Sequence, residues 1–415
     1  MRSSVRNGAI SHKLFGVLLL YTIFFQAVGI FPNSDTQPNF IILSCFSLIF
    51  YNKSLTFSYV NLLAFIGCYF CLVLAFLLQA EYLTLKYILT YTVSLLSFLL
   101  IFVLVKNERL NLSSEFLLTV TAIYAFVGFV QFFIPDFFSF LVTRSVDAAF
   151  SFAESGRGVR SLTGEPAHLG KVFTILNVLF LFSMWSGGTF RSRPNQLILV
   201  SILFIFVNLV ISRSFYSVVV HGLIFLVFIC LVNKRLFIYL SVVSFFTFGL
   251  ILSLVNNVYG DIRFVRILDL LLNNPSLLLE QGAARRVFNI PLSINNLTYF
   301  DWYGAGSNPK SFIAELQTPV GPLYYPGFNR AYGGLVEFLL KFGFFSIPIF
   351  WIYFLLLFRI SRIRGSIKGK NVAIGLFFAI SIFILTVQDG AMAKPLPMFL
   401  LAYIYVNRSY LSRNS

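Results

Sequence analysis

Residues 160–170 of the chain read Arg-Ser-Leu-Thr-Gly-Glu-Pro-Ala-His-Leu-Gly, so Arg160, Glu165 and His168 fall within nine residues. A guanidinium fork grips phosphate or carboxylate at two points. A carboxylate or imidazole close by is able to take a proton from a hydroxyl. The stretch has the parts for chemistry on an anionic ligand. It also has a plainer reading: Pro166 suits a first helical turn, and an acid just before it favours the helix dipole. Arg213 stands alone in Val-Ile-Ser-Arg-Ser-Phe-Tyr-Ser (210–217), between two apolar runs. An ionisable residue fixed there by two helices is a functional-site candidate. A headgroup anchor that snorkels is the alternative.

The elements that must position these residues are membrane helices. Hydrophobic residues make up 58% of the 415, mean hydropathy is +0.85, and there are 52 Phe and 20 Tyr. A soluble domain has no interior large enough for that much apolar surface, so the class is a polytopic, all-α membrane protein. The +16 charge would suggest nucleic acid in a soluble chain. Here it points to loop anchoring and anionic headgroups, and no nucleic-acid partner is expected. Cys45, Cys68, Cys71 and Cys230 all sit inside apolar runs and read as packing residues. His12, His168 and His221 lie too far apart to form a metal motif, and no metal or cofactor is expected.

About twelve apolar segments have the length of membrane spans: 14–31, 39–51, 58–79, 84–105, 115–135, 169–186, 195–211, 214–233, 236–255, 333–358, 371–388 and 395–407. The stretch before the first shows no cleavage pattern and predicts a retained helix. With the N-terminus inside, every short inner loop is rich in Lys and Arg, and the short outer connections keep only Arg213 and Lys394. Both termini are then expected in the cytoplasm. The chain reads as one integral membrane domain, 1–415, with two long outer loops, 136–168 and 256–332. These are rich in Leu, Phe, Tyr and Trp, which argues against disorder. Residues 261–274 predict an amphipathic helix lying on the outer surface.

The basic residues of those two loops are eight arginines and one lysine, Lys310. Membrane adhesion works with either type, whereas an arginine bias suits phosphate. Arg285 and Arg286 are adjacent, and a solvated charge run is their plainer reading. Glu337 and Lys341, four apart inside the tenth span, predict a neutralising ion pair ahead of a catalytic one. A Phe-lined bundle for a long tail, arginines for phosphates and an isolated base suit an anionic lipid on the outer face. A sugar on a polyprenyl diphosphate carries its own leaving group, so its transfer needs neither ATP nor metal.

At this point the sequence resembles the bacterial O-antigen polymerases and the related O-antigen ligases of surface-polysaccharide and lipopolysaccharide biosynthesis. The resemblance covers most of the chain. It rests on 160–170, on Ser-Arg-Ser at 212–214, on Gly-Ala-Gly-Ser-Asn-Pro-Lys-Ser-Phe at 304–312, and on 329–345, in that order. It implies a GT-C-type glycosyltransferase of about twelve transmembrane helices in the bacterial inner membrane. Its substrate would be an undecaprenyl-diphosphate-linked oligosaccharide, polymerised on the periplasmic face. Membrane lipids and a polysaccharide chain-length regulator would be its partners. Mapped onto this chain, Arg160, Arg213, Arg285 and Arg286 would hold diphosphate, and Glu165, then His168, would supply the base. Arg157, Asp301, Glu315 and Arg330 are further candidates. Ligases often carry a His where this chain has Phe328, which favours a polymerase. A ligase acting on lipid A core and a lipid-linked oligosaccharide flippase are the alternative functions. Paired inverted repeats, which a flippase would show, are not evident.

Overall fold

The protein was analysed as a computed structural model that describes residues 16–29, 39–50, 59–79, 84–107, 110, 112–142, 158–186, 194–242, 273, 297, 302–304, 306, 315–318, 321–324, 334–362, 369–388 and 395–409. Helix α1 crosses 16–24. It is followed by α2 (Asn39–Phe50), α3 (Tyr59–Leu78), α4 (Leu85–Lys106) and α5 (Ser114–Gln131). Next come α6 (Pro166–Ser186) and α7 (Pro194–Val207), the latter running into a π turn at Asn208–Ser212. Helix α8 is Phe215–Val232 and α9 covers 234–242. Helix α10 (Gly334–Phe342) passes through a 3₁₀ turn, Gly343–Ser346, into α11 (Ile347–Ser361). Helices α12 (Gly369–Gln388) and α13 (Pro395–Asn407) complete the set.

Apolar side chains in a membrane leave main-chain groups no water to bond, so each run closes its own hydrogen bonds as a helix. Polar residues mark the ends. Thr84 and Ser113 accept from Tyr87 N (3.3 Å) and Phe116 N (3.1 Å), and Asn107 closes α4 through Val103 O. Helix α6 is the hub of the bundle, packing against α5, α7, α8, α12 and α13. About 72% of its apolar window is buried, against 33–44% for the other long helices. A helix apolar on every side belongs in the middle.

All twelve apolar segments of the sequence carry helix in their described residues. Among the described residues, five helices are long and apolar enough to cross a membrane, and four more apolar helices are shorter. The architecture is that of a helical membrane protein. One feature departs from an all-α expectation. Strands β1 (Glu315–Thr318) and β2 (Gly321–Tyr324) form an antiparallel hairpin, with Thr318 opposite Gly321. The amphipathic helix expected at 261–274 lies outside the described residues, apart from Asn273.

Contacts sort the helix termini into two ends. At one end Val28 bridges Val142, Asn39 Nδ2 donates to Val28 O (2.9 Å), Val159 N donates to Ile211 O (3.1 Å), and Gln79 meets 303–304 and Lys341. At the other, the Tyr403 hydroxyl donates to Leu112 O (3.4 Å) and Arg359 Nη1 to the Tyr405 hydroxyl (3.2 Å). This is the pairing that strict up-and-down alternation requires. The first end holds both charged segments singled out in the sequence.

Candidate functional site

The 160–170 segment is not a loose loop. Ser161 has a left-handed backbone (φ 49°) and is wholly buried. Such a conformation costs a non-glycine residue about 1 kcal/mol or more and needs to be held. Gln131, the last residue of α5, holds it. Its Oε1 accepts from Ser161 N (2.7 Å) and its Nε2 donates to Ser161 O (3.2 Å) and Phe137 O (2.8 Å). The Ser161 hydroxyl donates to Tyr124 O (2.7 Å). The Thr163 hydroxyl lies within reach of Arg160 O (2.7 Å) and Glu165 O (2.8 Å). Glu165 is the N-cap residue of α6. Its carbonyl accepts from His168 N (3.0 Å) and Leu169 N (3.1 Å), and Pro166 occupies the first helical position. The helix-start reading of Glu165 therefore holds, and its carboxyl is left half-buried at the positive end of the helix dipole.

The Arg213 corner meets this segment main chain to main chain. Gly158 (φ 82°) sits so close to the turn that a Cβ there would lie 2.5 Å from Ile211 O and 2.6 Å from Ser212 O. Only glycine fits both the angle and the approach. Gly128 of α5 gives room to the Ile211 side chain in the same way. Arg213 itself follows the π turn in a left-handed conformation (φ 47°). Its guanidinium carbon stands 4.8 Å above the Phe132 ring and its Nε lies 3.4 Å from Val210 O. The side chain is half-buried, whereas Arg160 is 1% exposed.

Beneath the corner lies a polar network that the sequence reading passed over. Asn177 of α6, Asn208 and Ser212 of the π turn and His221 of α8 are all wholly buried. The Ser212 hydroxyl is shared between Asn208 O (2.8 Å) and Oδ1 (2.5 Å). Asn208 Nδ2 donates to Gly170 O (3.3 Å) and faces His221 Nδ1 at 3.2 Å. On the other side of the ring, Asn177 Nδ2 lies 2.8 Å from His221 Nε2. Both ring nitrogens of His221 therefore face a side-chain amide. His221 thus ties α6, the π turn and α8 together. Gly170 permits this, since a Cβ would run into the Ser217 hydroxyl and Asn208 Oδ1. The signal available in the sequence was polar residues within apolar runs, which are expensive in a membrane and mark a purpose.

A second constellation joins two other sequence segments at the same end. Gln79 Nε2 meets Tyr303 O (3.0 Å), Gly304 O (3.3 Å) and Lys341 O (2.8 Å). Gly304 (φ 91°) and Gly343 (φ 52°) let the 302–306 segment lie directly on the α10 terminus. Lys341 pairs with Glu337 at 2.9 Å, as the spacing predicted.

The structure thus brings Arg160, Glu165, His168 and Arg213 to one corner of the bundle. Glu315 lies apart in sequence on β1. Arg157, Arg285, Arg286, Asp301 and Arg330 lie outside the described residues. Among the described residues, no three or more His, Cys, Asp or Glu side chains gather as a metal site would require. Compared with protein-family models, curated proteins and solved structures, the chain matches none.

Proposed function

We propose that the protein polymerises undecaprenyl-diphosphate-linked oligosaccharide repeat units on the periplasmic face of a bacterial inner membrane, as a metal-independent GT-C-type glycosyltransferase. Glu165, with His168 in reserve, takes the proton from a hydroxyl of the incoming unit. The resulting oxygen attacks the anomeric carbon of the donor sugar. The bond from that carbon to the diphosphate oxygen breaks, and undecaprenyl diphosphate departs with the electron pair. Arg213 and Arg160, joined by Arg285 and Arg286 of the second long loop, stabilise the departing charge. Arg157, Asp301, Glu315 and Arg330 remain secondary candidates.

One observation carries the reading. Two arginine-bearing segments about fifty residues apart are locked main chain to main chain beside a carboxylate at a helix start, over a buried histidine network that fixes both. A corner that served only to anchor headgroups would need none of this rigidity, because snorkelling works with a loose side chain. The break at 208–212 beside a buried His is also what a flippase for lipid-linked oligosaccharides would use.

One experiment separates these readings. Arg213→Lys and Glu165→Gln are expressed at matched levels in a deletion strain, and surface polysaccharide is sized on a gel. Polymerase loss leaves single repeat units, because export and ligation continue. Flippase loss leaves none. Full-length ladders from both variants would remove this corner from the chemistry.

A further inference from the structure

A crevice of about 120 Å³, separate from the Arg213 corner, lies between α3, α4, α11 and α13. Tyr91, Ser94, Leu95, Phe98, Leu99 and Phe102 of α4 form its floor. Their spacing is a single helical stripe, and from Tyr91 to Phe102 it runs three turns, about 16 Å at 1.5 Å per residue. Its walls include Ala64 and Cys68 of α3 and Ile352 of α11. A stripe of that length matches one extended acyl chain laid along α4. That length is close to half of the ~30 Å hydrocarbon core of a bilayer, which is one leaflet. A chain much longer than an acyl tail would have to leave it.

The upper end of the crevice carries charge. Lys341 Nζ stands 5.3 Å from the centre of the Tyr91 ring and 2.9 Å from Glu337 Oε1. The pair is about a quarter exposed, 27% and 29%. The level is marked independently by Trp302 and Tyr303, exposed aromatics with Trp302 stacked on Phe344 at 5.7 Å. Exposed Trp and Tyr belong at headgroup depth. A mouth that presents one ammonium and one carboxylate side by side is neutral overall. It complements a headgroup that also carries both signs.

We propose that this crevice is a structural phospholipid site for a zwitterionic lipid. One acyl chain lies along the α4 stripe, the phosphate faces Lys341 and the lipid ammonium faces Glu337. The site is independent of the polymerase reading and stands or falls without it. The test is native mass spectrometry of the full chain, purified in mild detergent with equimolar phosphatidylethanolamine and phosphatidylglycerol. One phosphatidylethanolamine is expected to be retained, favoured about fivefold (~1 kcal/mol), the most that partly exposed ion pairing allows. Glu337→Gln leaves the lysine alone and should turn the preference towards phosphatidylglycerol. Ala64→Leu and Ser94→Phe fill the crevice from opposite walls and should release the bound lipid. Wild-type protein that favours phosphatidylglycerol or retains no lipid overturns the proposal. So does undiminished phosphatidylethanolamine binding in whichever crevice-filling variant keeps the wild-type thermal transition.

Discussion

At the Arg213 corner a π turn runs into a left-handed residue, and a glycine of an incoming segment presses on its carbonyls. At the Lys341 corner a 3₁₀ turn follows the helix, and two glycines let another segment press on its carbonyls. Both corners lie at the same end of the bundle, and each is closed by a buried side-chain amide, Gln131 in one and Gln79 in the other. They differ in how they treat charge. The Lys341 corner cancels its charges within one helix turn. The Arg213 corner carries Arg160, Glu165 and Arg213 on separate bends, above the amides of Asn177 and Asn208 and the ring of His221. Under the proposed function, the arginines of the first corner are the groups that a diphosphate would meet, and the second corner offers none.

The glycines offer the largest test of this contrast. Gly158→Ala must strain a positive φ and displace backbone carbonyls, at a cost of about 3 kcal/mol. Polymer should vanish along with thermal stability, read from the unfolding transition in detergent. Gly304→Ala meets Lys341 O at 2.5 Å with φ 91° and should lose similar stability. Polymer made per folded molecule should survive. Should Gly304→Ala stop polymerisation at matched protein level, the two corners would be one functional unit.

The buried amides and histidine give the next effect. His221→Leu leaves Asn177 and Asn208 without their ring partner, which costs ~1–3 kcal/mol. It also frees the π turn, so repeat number should fall in the molecules that remain folded. His221→Gln keeps one donor and one acceptor and should recover part of both. Gln79→Leu strips a donor from three carbonyls and should cost a comparable amount, with the ladder unchanged. Equal ladders from His221→Leu and wild type would reduce the network to packing.

The smallest effect belongs to the ion pair. A double-mutant cycle on Glu337→Gln and Lys341→Gln should return a coupling of only ~0.3–0.5 kcal/mol, weakened further by salt. A coupling of several kcal/mol would mean that the pair is far better shielded from water than its exposure implies.

Much of this was legible in the residues. Helix forms in the described part of every apolar run because a membrane leaves the backbone no other partner. Pro166 after Glu165 announced the start of α6, and the four-residue spacing announced Glu337–Lys341. The network was not legible. Asn177, Asn208 and His221 are single polar residues in separate apolar runs, and nothing local says that three helices will aim them at one point. Gln131 and Gln79 escaped notice for the same reason, since each serves a backbone segment remote in sequence.

The sequence by itself determined the medium, the helices and the alternation of their ends, because hydropathy and helix closure are local properties set by composition over twenty residues. Only the tertiary structure decided that Arg160 is buried while Arg213 stays half-exposed, that Gly158 lies on Ile211 and Ser212, and that His221 stands between Asn177 and Asn208. Those outcomes depend on close approaches of chain segments tens of residues apart, where a single missing Cβ or a single amide orientation selects the arrangement.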